Sequence, residues 1–225
     1  MKTLYNNLPV NEAKQWILSQ EQLTHTNSGV IETLFSLGNG TLGTRGTSCY
    51  ESDVSHSQCE GTYINGAYMR EAIEYDESAY GFAKFNNKML QVFNTKSIEI
   101  WADDELFVPY KTCEKQLNLR QASYHEALQL KTASGKEIKL HVTRIVCQHQ
   151  QNMMINHYRI EAMNFSGKLQ VKSFIKSNDS TNSNSSDPRV GNLSTKGHLE
   201  GLDSSSSPEY SFLMHQLQAP NSVVI

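Results

Sequence analysis

The chain has 225 residues and a mass of 25.4 kDa, enough for one large β domain or two small ones and for a core that buries roughly 70% of the unfolded surface. Its formal charge of −3 and pI of 6.2 argue against a nucleic-acid partner, which is usually met by a basic patch, and no run approaches the ~18 apolar residues of a membrane span. Hydrophobic residues make up 38% and charged residues 19%, and hydroxyl and amide side chains fill the difference, so disorder driven by charge repulsion is not expected.

In chain order, Met1–Asn7 shows no apolar h-region behind its basic start, so no signal peptide is expected. Cys49, Cys59, Cys113 and Cys147 form no C-x-x-C pair, too few for a disulfide scaffold. The expected compartment is the cytoplasm, with free thiols. Residues Asn11–Gln22 hold good helix formers behind Pro9 and a possible Asn11 cap, although Trp16, Ile17 and Leu18 sit together rather than on a helical period.

Gly38-Asn39-Gly40-Thr41-Leu42-Gly43 matches G-x-G-x-x-G formally. A dinucleotide site needs a strand before that motif and a helix after it, and Thr44-Arg45-Gly46-Thr47-Ser48 is poor helix material. The segment reads instead as a tight glycine-rich turn of a β domain. Cys49, His56 and Cys59, with Glu51, Asp53 and Glu60, could in principle ligate zinc, but their spacing is not that of a zinc knuckle. No metal and no cofactor are expected.

Glu71, Glu74, Asp76 and Glu77 read as a solvated acidic face. Tyr63, Tyr68, Tyr75, Tyr80, Phe82 and Phe85 suit either a sandwich core or a sugar-stacking platform. Ile98–Trp101 is a strand that turns at Asp103-Asp104 and returns through Glu105–Val108. Leu128 and Leu130, then Ile138, Leu140 and Val142, alternate about Ser134-Gly135, so 126–146 reads as a hairpin. Cys147, beside His149, ends that strand as a structural thiol. Met154–Ala162 and Leu169–Ile175 suggest a second hairpin about Ser166-Gly167. Ser177–Asp187 and Ser204–Ser207 read as polar mobile loops. The ending Val223-Val224-Ile225 reads as a strand cut part-way. Many short alternating strands indicate an all-β sandwich or barrel.

The block Glu32, Phe35, Asn39, Gly40, Gly43, Arg45 and Gly46, followed by Glu51, resembles the N-terminal signature of glycoside hydrolase family 65. The later Gly61-Thr62-Tyr63-Ile64-Asn65-Gly66-Ala67-Tyr68 stretch resembles the next landmark of that family, with Gly61, Tyr63, Gly66 and Tyr68 as its matching positions. Thr41 departs from the aromatic usual after Asn-Gly. The resemblance implies a large antiparallel β-sandwich, like the galactose-mutarotase supersandwich, and turns Trp16-Ile17-Leu18 into a strand. Members are maltose, kojibiose, nigerose and trehalose phosphorylases and related α-glucosidases, inverting enzymes whose (α/α)6 barrel carries the general acid.

By that resemblance, residues 1–225 form a single N-terminal sandwich domain, cut short at its C-terminal end and without the barrel. No residue here is catalytic, and the chain alone is expected to be inactive. The implied partners are the C-terminal barrel and a second copy in a homodimer, with α-glucoside and phosphate bound only by the longer enzyme and no nucleic acid or membrane. The signature loop is expected at the domain interface, with Arg45 held by a bidentate pair to Glu32 or Glu51. The alternative is a free-standing carbohydrate-binding sandwich or a degenerate remnant.

Overall fold

The computed structural model describes residues 16–23, 28–50, 61–75, 77, 79–176, 199–217 and 222–223. The described residues are nearly all β. Strand β1 is Ile17–Ser19, followed by a 3-10 turn at Gln20–Leu23 and the one α-helix described, α1, at Ser28–Leu34. The strands that follow are β2 Leu37–Gly38, β3 Leu42–Thr44, β4 Thr62–Ala72, β5 Phe85–Gln91, β6 Asn94–Ala102, β7 Glu105–Leu106, β8 Val108–Asn118 and β9 Ser123–Lys131. Beyond them come β10 Glu137–Val146, β11 Met154–Ala162, β12 Gln170–Lys176, β13 Leu199–Ser206, β14 Ser211–Leu217 and β15 Ser222–Val223.

Four antiparallel groups result. One sheet runs β1-β8-β9-β10-β11. A second runs β12-β6-β7, a third β15-β4-β3-β2 with β5 beside β4, and β13-β14 is a hairpin by itself. The strict alternation of β10 fixes its register, because a slip of one residue would turn Ile138, Leu140 and Val142 out to water. Those three join Leu128 and Leu130 of β9 against Ile98, Ile100 and Ala102 of β6 and against Tyr50 and Phe107. Two sheets thus face each other across one core, which is the predicted sandwich. Burying a Leu or Ile there contributes about 1.5–3 kcal/mol each.

A second cluster sits under α1, where Ile31, Phe35 and Leu37 meet Leu23, Leu117, Tyr124 and Val146.

The strand readings at 98–101, 126–131 and 137–146 hold. Both aspartates of the β6–β7 turn are left-handed, with φ 50° at Asp103 and 63° at Asp104, as a two-residue hairpin loop requires. The returning ladder stops at Leu106 and not at Val108.

Three expectations are corrected. The segment 17–19 is strand rather than helix, in line with the resemblance except that Trp16 lies just before it, and residues 11–15 lie outside the described ones. The stretch 154–175 is no hairpin: β11 pairs with β10, whereas β12 crosses to β6 in the opposing sheet. Ser166-Gly167 is therefore a sheet-to-sheet crossing, which alternation cannot distinguish from a hairpin turn. Ser204–Ser206 is no loop but strand, paired with Ser211–Leu213. A serine run reads as loop because it buries nothing, yet backbone pairing with β14 holds it extended. Helix α1 carries no clear signal in the sequence, since its residues SGVIETL include a glycine and three β-branched residues. Its place is set by packing of Ile31 and Phe35. The Ser177–Asp187 reading and the residues 51–60 lie outside the described residues.

Candidate functional site

The signature residues gather where α1, hairpin β2–β3 and β4 meet. Asn39 sets the turn. Its side-chain oxygen accepts the N–H groups of Thr41 and Leu42 at 3.0 and 2.8 Å, while its side-chain nitrogen donates to the carbonyls of Cys147 and Gln151 at 2.7 and 2.9 Å. One side chain thus closes its own turn and ties it to the β10–β11 connection. Gly40 follows with φ 89°, a conformation open to glycine at no steric cost. Thr41, the position that departs from the family pattern, donates its hydroxyl to Gln151 Oε1 at 3.3 Å. Gln148 donates to the Gly38 carbonyl at 3.2 Å, so the hairpin is clamped on two sides.

Arg45 leaves β3 and reaches back to α1. Its Nη2 donates to the Gly29 carbonyl at 2.7 Å and lies 3.7 Å from Glu32 Oε2. The expected bidentate pair with Glu32 is therefore a single ion contact beside a carbonyl bond, and the Arg45 Nε is buried without a hydrogen-bond partner. Glu51 lies outside the described residues. Gly46 presses on the helix: its N–H donates to the Glu32 carbonyl at 2.8 Å, and an added Cβ would lie 2.4 Å from the Cβ of Phe35. Gly61 packs against the Arg45 stem and the Tyr63 ring, where a Cβ would come within 2.7 Å of both. Gly66 turns with φ 102°, and the Tyr68 hydroxyl donates to Asn65 Oδ1 at 2.9 Å.

These elements enclose an open groove of about 380 Å³. Gly38, Gly43, Leu42, Tyr63, Tyr68 and Met89 shape it, and no carboxylate lines it. A second depression of about 430 Å³ beside β1 and β8 carries Glu21 and Glu114, both exposed. No group of three metal-ligating side chains occurs among the described residues. The segment after Gly43 is strand β3 and then irregular, so the helix a dinucleotide motif needs does not follow.

Two buried cations lie deeper. Arg144 is fully buried. It donates to the carbonyl of Thr47 at 3.0 Å and to Asn156 Oδ1 at 2.9 Å, and lies over the Tyr124 ring. Lys96, also fully buried, donates to Thr44 Oγ1 at 2.7 Å and Thr62 Oγ1 at 3.2 Å, bracing β3 against β4. Arg144 falls in phase with Ile138, Leu140 and Val142 on the inward face of β10, and that place marks it as buried. Lys96 carries no such signal, because the strand around it is polar. Tyr50 is tied to the β6–β7 hairpin: its hydroxyl donates to the Phe107 carbonyl at 2.7 Å and accepts the Ile100 N–H at 2.9 Å, and burial pushes its pKa up to about 12.

Cys49, Cys113 and Cys147 are free thiols. Cys49 is buried and Cys147, expected as a buried structural thiol, is only half-buried. Glu74 and Glu77 are exposed, as a solvated face requires. The aromatic run divides, with Tyr80, Phe82 and Phe85 exposed and Tyr63 and Tyr68 half-buried.

The sequence resembles alpha,alpha-trehalose phosphorylase of Thermoanaerobacter brockii, 29% identical over 220 residues that cover 95% of this chain and 28% of that protein. The same enzyme of Geobacillus stearothermophilus is 30% identical over 193 residues, covering 83% of this chain and 25% of that protein. A solved structure described as a kojibiose phosphorylase from the human microbiome superposes with a TM-score of 0.64 at 21% identity, over 84% of this chain and 24% of that one. The chain thus spans about a quarter of the length of these relatives. The family description "Glycosyl hydrolase family 65, N-terminal domain" matches residues 18–224, and the chain belongs to that family.

Proposed function

We propose that this chain serves as the non-catalytic N-terminal β-sandwich of an inverting phosphorylase or hydrolase of α-linked glucose disaccharides. The observation that carries this reading is the family match over 18–224, set beside relatives of which the chain spans only 24–28%. Inverting cleavage needs a general acid at the glycosidic oxygen, and the signature groove offers no carboxylate. The catalytic barrel, the homodimer and the phosphate site then belong to the longer enzyme, and the signature loop faces that barrel near its active-site mouth. Three free thiols fit a cytoplasmic home.

A second reading, a carbohydrate-binding sandwich that acts alone, draws on the exposed rings of Tyr80, Phe82 and Phe85. Calorimetric titration of this chain with trehalose, maltose and kojibiose, each with and without phosphate, decides between them. The first reading expects no heat of binding and no glucose phosphate released. Micromolar binding of any of the three would overturn it in favour of the second.

A further inference from the structure

The sequence holds two Asn-Gly pairs, Asn39-Gly40 and Asn65-Gly66, and one residue of each, Gly40 and Asn65, lines the signature groove. An asparagine before glycine is open to attack on its side-chain carbonyl carbon by the glycine backbone nitrogen, because no Cβ shields that nitrogen. The structure treats the two pairs differently. Asn39 is half-buried, and both ends of its amide are committed: Oδ1 accepts the Thr41 and Leu42 N–H groups, and Nδ2 donates to the Cys147 and Gln151 carbonyls. Attack by Gly40 would require the side chain to leave all of these bonds. Asn65 is exposed. Its Nδ2 donates to the Gly40 carbonyl at 3.0 Å, and its Oδ1 accepts the Tyr68 hydroxyl at 2.9 Å. The β3–β4 register covers Thr62–Ile64, β15 pairs with Tyr68 and Met69, and the β4–β5 register shifts between Tyr63 and Tyr68. Gly66, with φ 102°, thus sits in a bulge, where the ladder is interrupted.

We propose that Asn65 is a site of spontaneous deamidation assisted by Tyr68, and that Asn39 is spared. The Gly66 nitrogen gives up its proton and bonds to Cγ of Asn65. The Cγ–Nδ2 bond breaks, and Nδ2 takes up that proton and leaves as ammonia. The resulting succinimide adds one water, and opening at either carbonyl gives aspartate or isoaspartate. The Tyr68 hydroxyl already donates to the oxygen on which negative charge develops during attack, the placement that stabilises an oxyanion. The outcome is a change of charge: the donor to the Gly40 carbonyl is lost, and a groove that no carboxylate lines acquires one.

The test is incubation of this chain in mildly alkaline buffer, native and in urea, with peptide mapping by mass spectrometry and methyltransferase labelling of isoaspartate. In the native state Asn65 is expected to react at least about tenfold faster than Asn39, which must wait for its turn to open. In urea, where neither side chain is held, the two should react within about threefold of each other. Tyr68→Phe should slow native Asn65 by about threefold, the scale of one net hydrogen bond, and leave its rate in urea unchanged. Asn39 gauges folding in that variant, since it stays slow only while the signature turn is closed. Equal native rates at the two sites, or an unreactive Asn65, would overturn the proposal. So would an unchanged or faster Asn65 in Tyr68→Phe, which would mean that the hydroxyl restrains the side chain instead of activating it.

Discussion

At the scale of single residues, the signature is mainly a set of local locks. Arg45 holds the α1 carbonyl of Gly29 and faces Glu32, and Gly46 lets β3 leave directly beside Phe35. Arg45→Ala is expected to lower stability by about 2 kcal/mol, the scale of a hydrogen bond to a charged donor, and Gly46→Ala by about 3 kcal/mol through overpacking. Urea denaturation would register both as lower midpoints with unchanged slopes. His125 gives a pH signature. Burial lowers its pKa, against the opposing pull of Glu114, and its ring nitrogens lie 2.9 Å from Ser123 Oγ and 3.2 Å from Thr143 Oγ1. The unfolded chain therefore binds the proton more readily than the folded one. The stability from this group is fully present above the unfolded pKa near 6.5 and declines as pH falls below it. Denaturation at pH 7.5 and 5.5 should show this loss, and His125→Gln should reduce it; an unchanged difference would remove His125 as its source. The identities of Asn39, Arg45 and Gly46 were legible as a pattern, but their partners were not. Gly29, Cys147 and Gln151 carry no mark in the sequence, since any residue offers a carbonyl.

At the scale of elements, legibility follows burial. Strand β10 alternates without a break between half-buried and buried positions over Glu137–Arg144, and its residues announce it. The hairpin β13–β14 hides for the opposite reason. It buries almost nothing, with Leu202, Tyr210, Phe212 and Met214 all exposed, and it pairs only with itself. A two-stranded ribbon of this kind is marginal in water. Its amides should exchange with solvent at least about a hundredfold faster than those of β9 and β10, which open only with the global fold. Deuterium exchange followed by mass spectrometry measures this, and equal protection would mean that the hairpin is held by contacts beyond its own ladder. Helix α1 shows the reverse problem. Its seven residues are too few to reveal a period, and it exists because Ile31 and Phe35 pack on Tyr124 and Val146.

At the scale of the whole molecule, the two sheets close over a polar layer as well as an apolar one. Cys49 lies in that core, and burial raises its thiol far above the ordinary range, with nearby Glu126 adding to the shift. The thiolate is the reactive form, so iodoacetamide should modify the half-buried Cys113 and Cys147 in the native state and Cys49 only when the sandwich opens. Peptide mapping across a urea series should place Cys49 labelling at the global midpoint; labelling well below it would mean that the core opens locally. The sequence by itself determined the all-β class, the strands with one buried face and the family, because alternation and a dense glycine motif are written locally. Only the tertiary structure decided that β12 crosses to the opposing sheet, that Lys96 is buried between two threonines, and which glycines the fold requires. Those outcomes depend on which surfaces meet across the sandwich, and contact between segments far apart in the chain leaves no period in either of them.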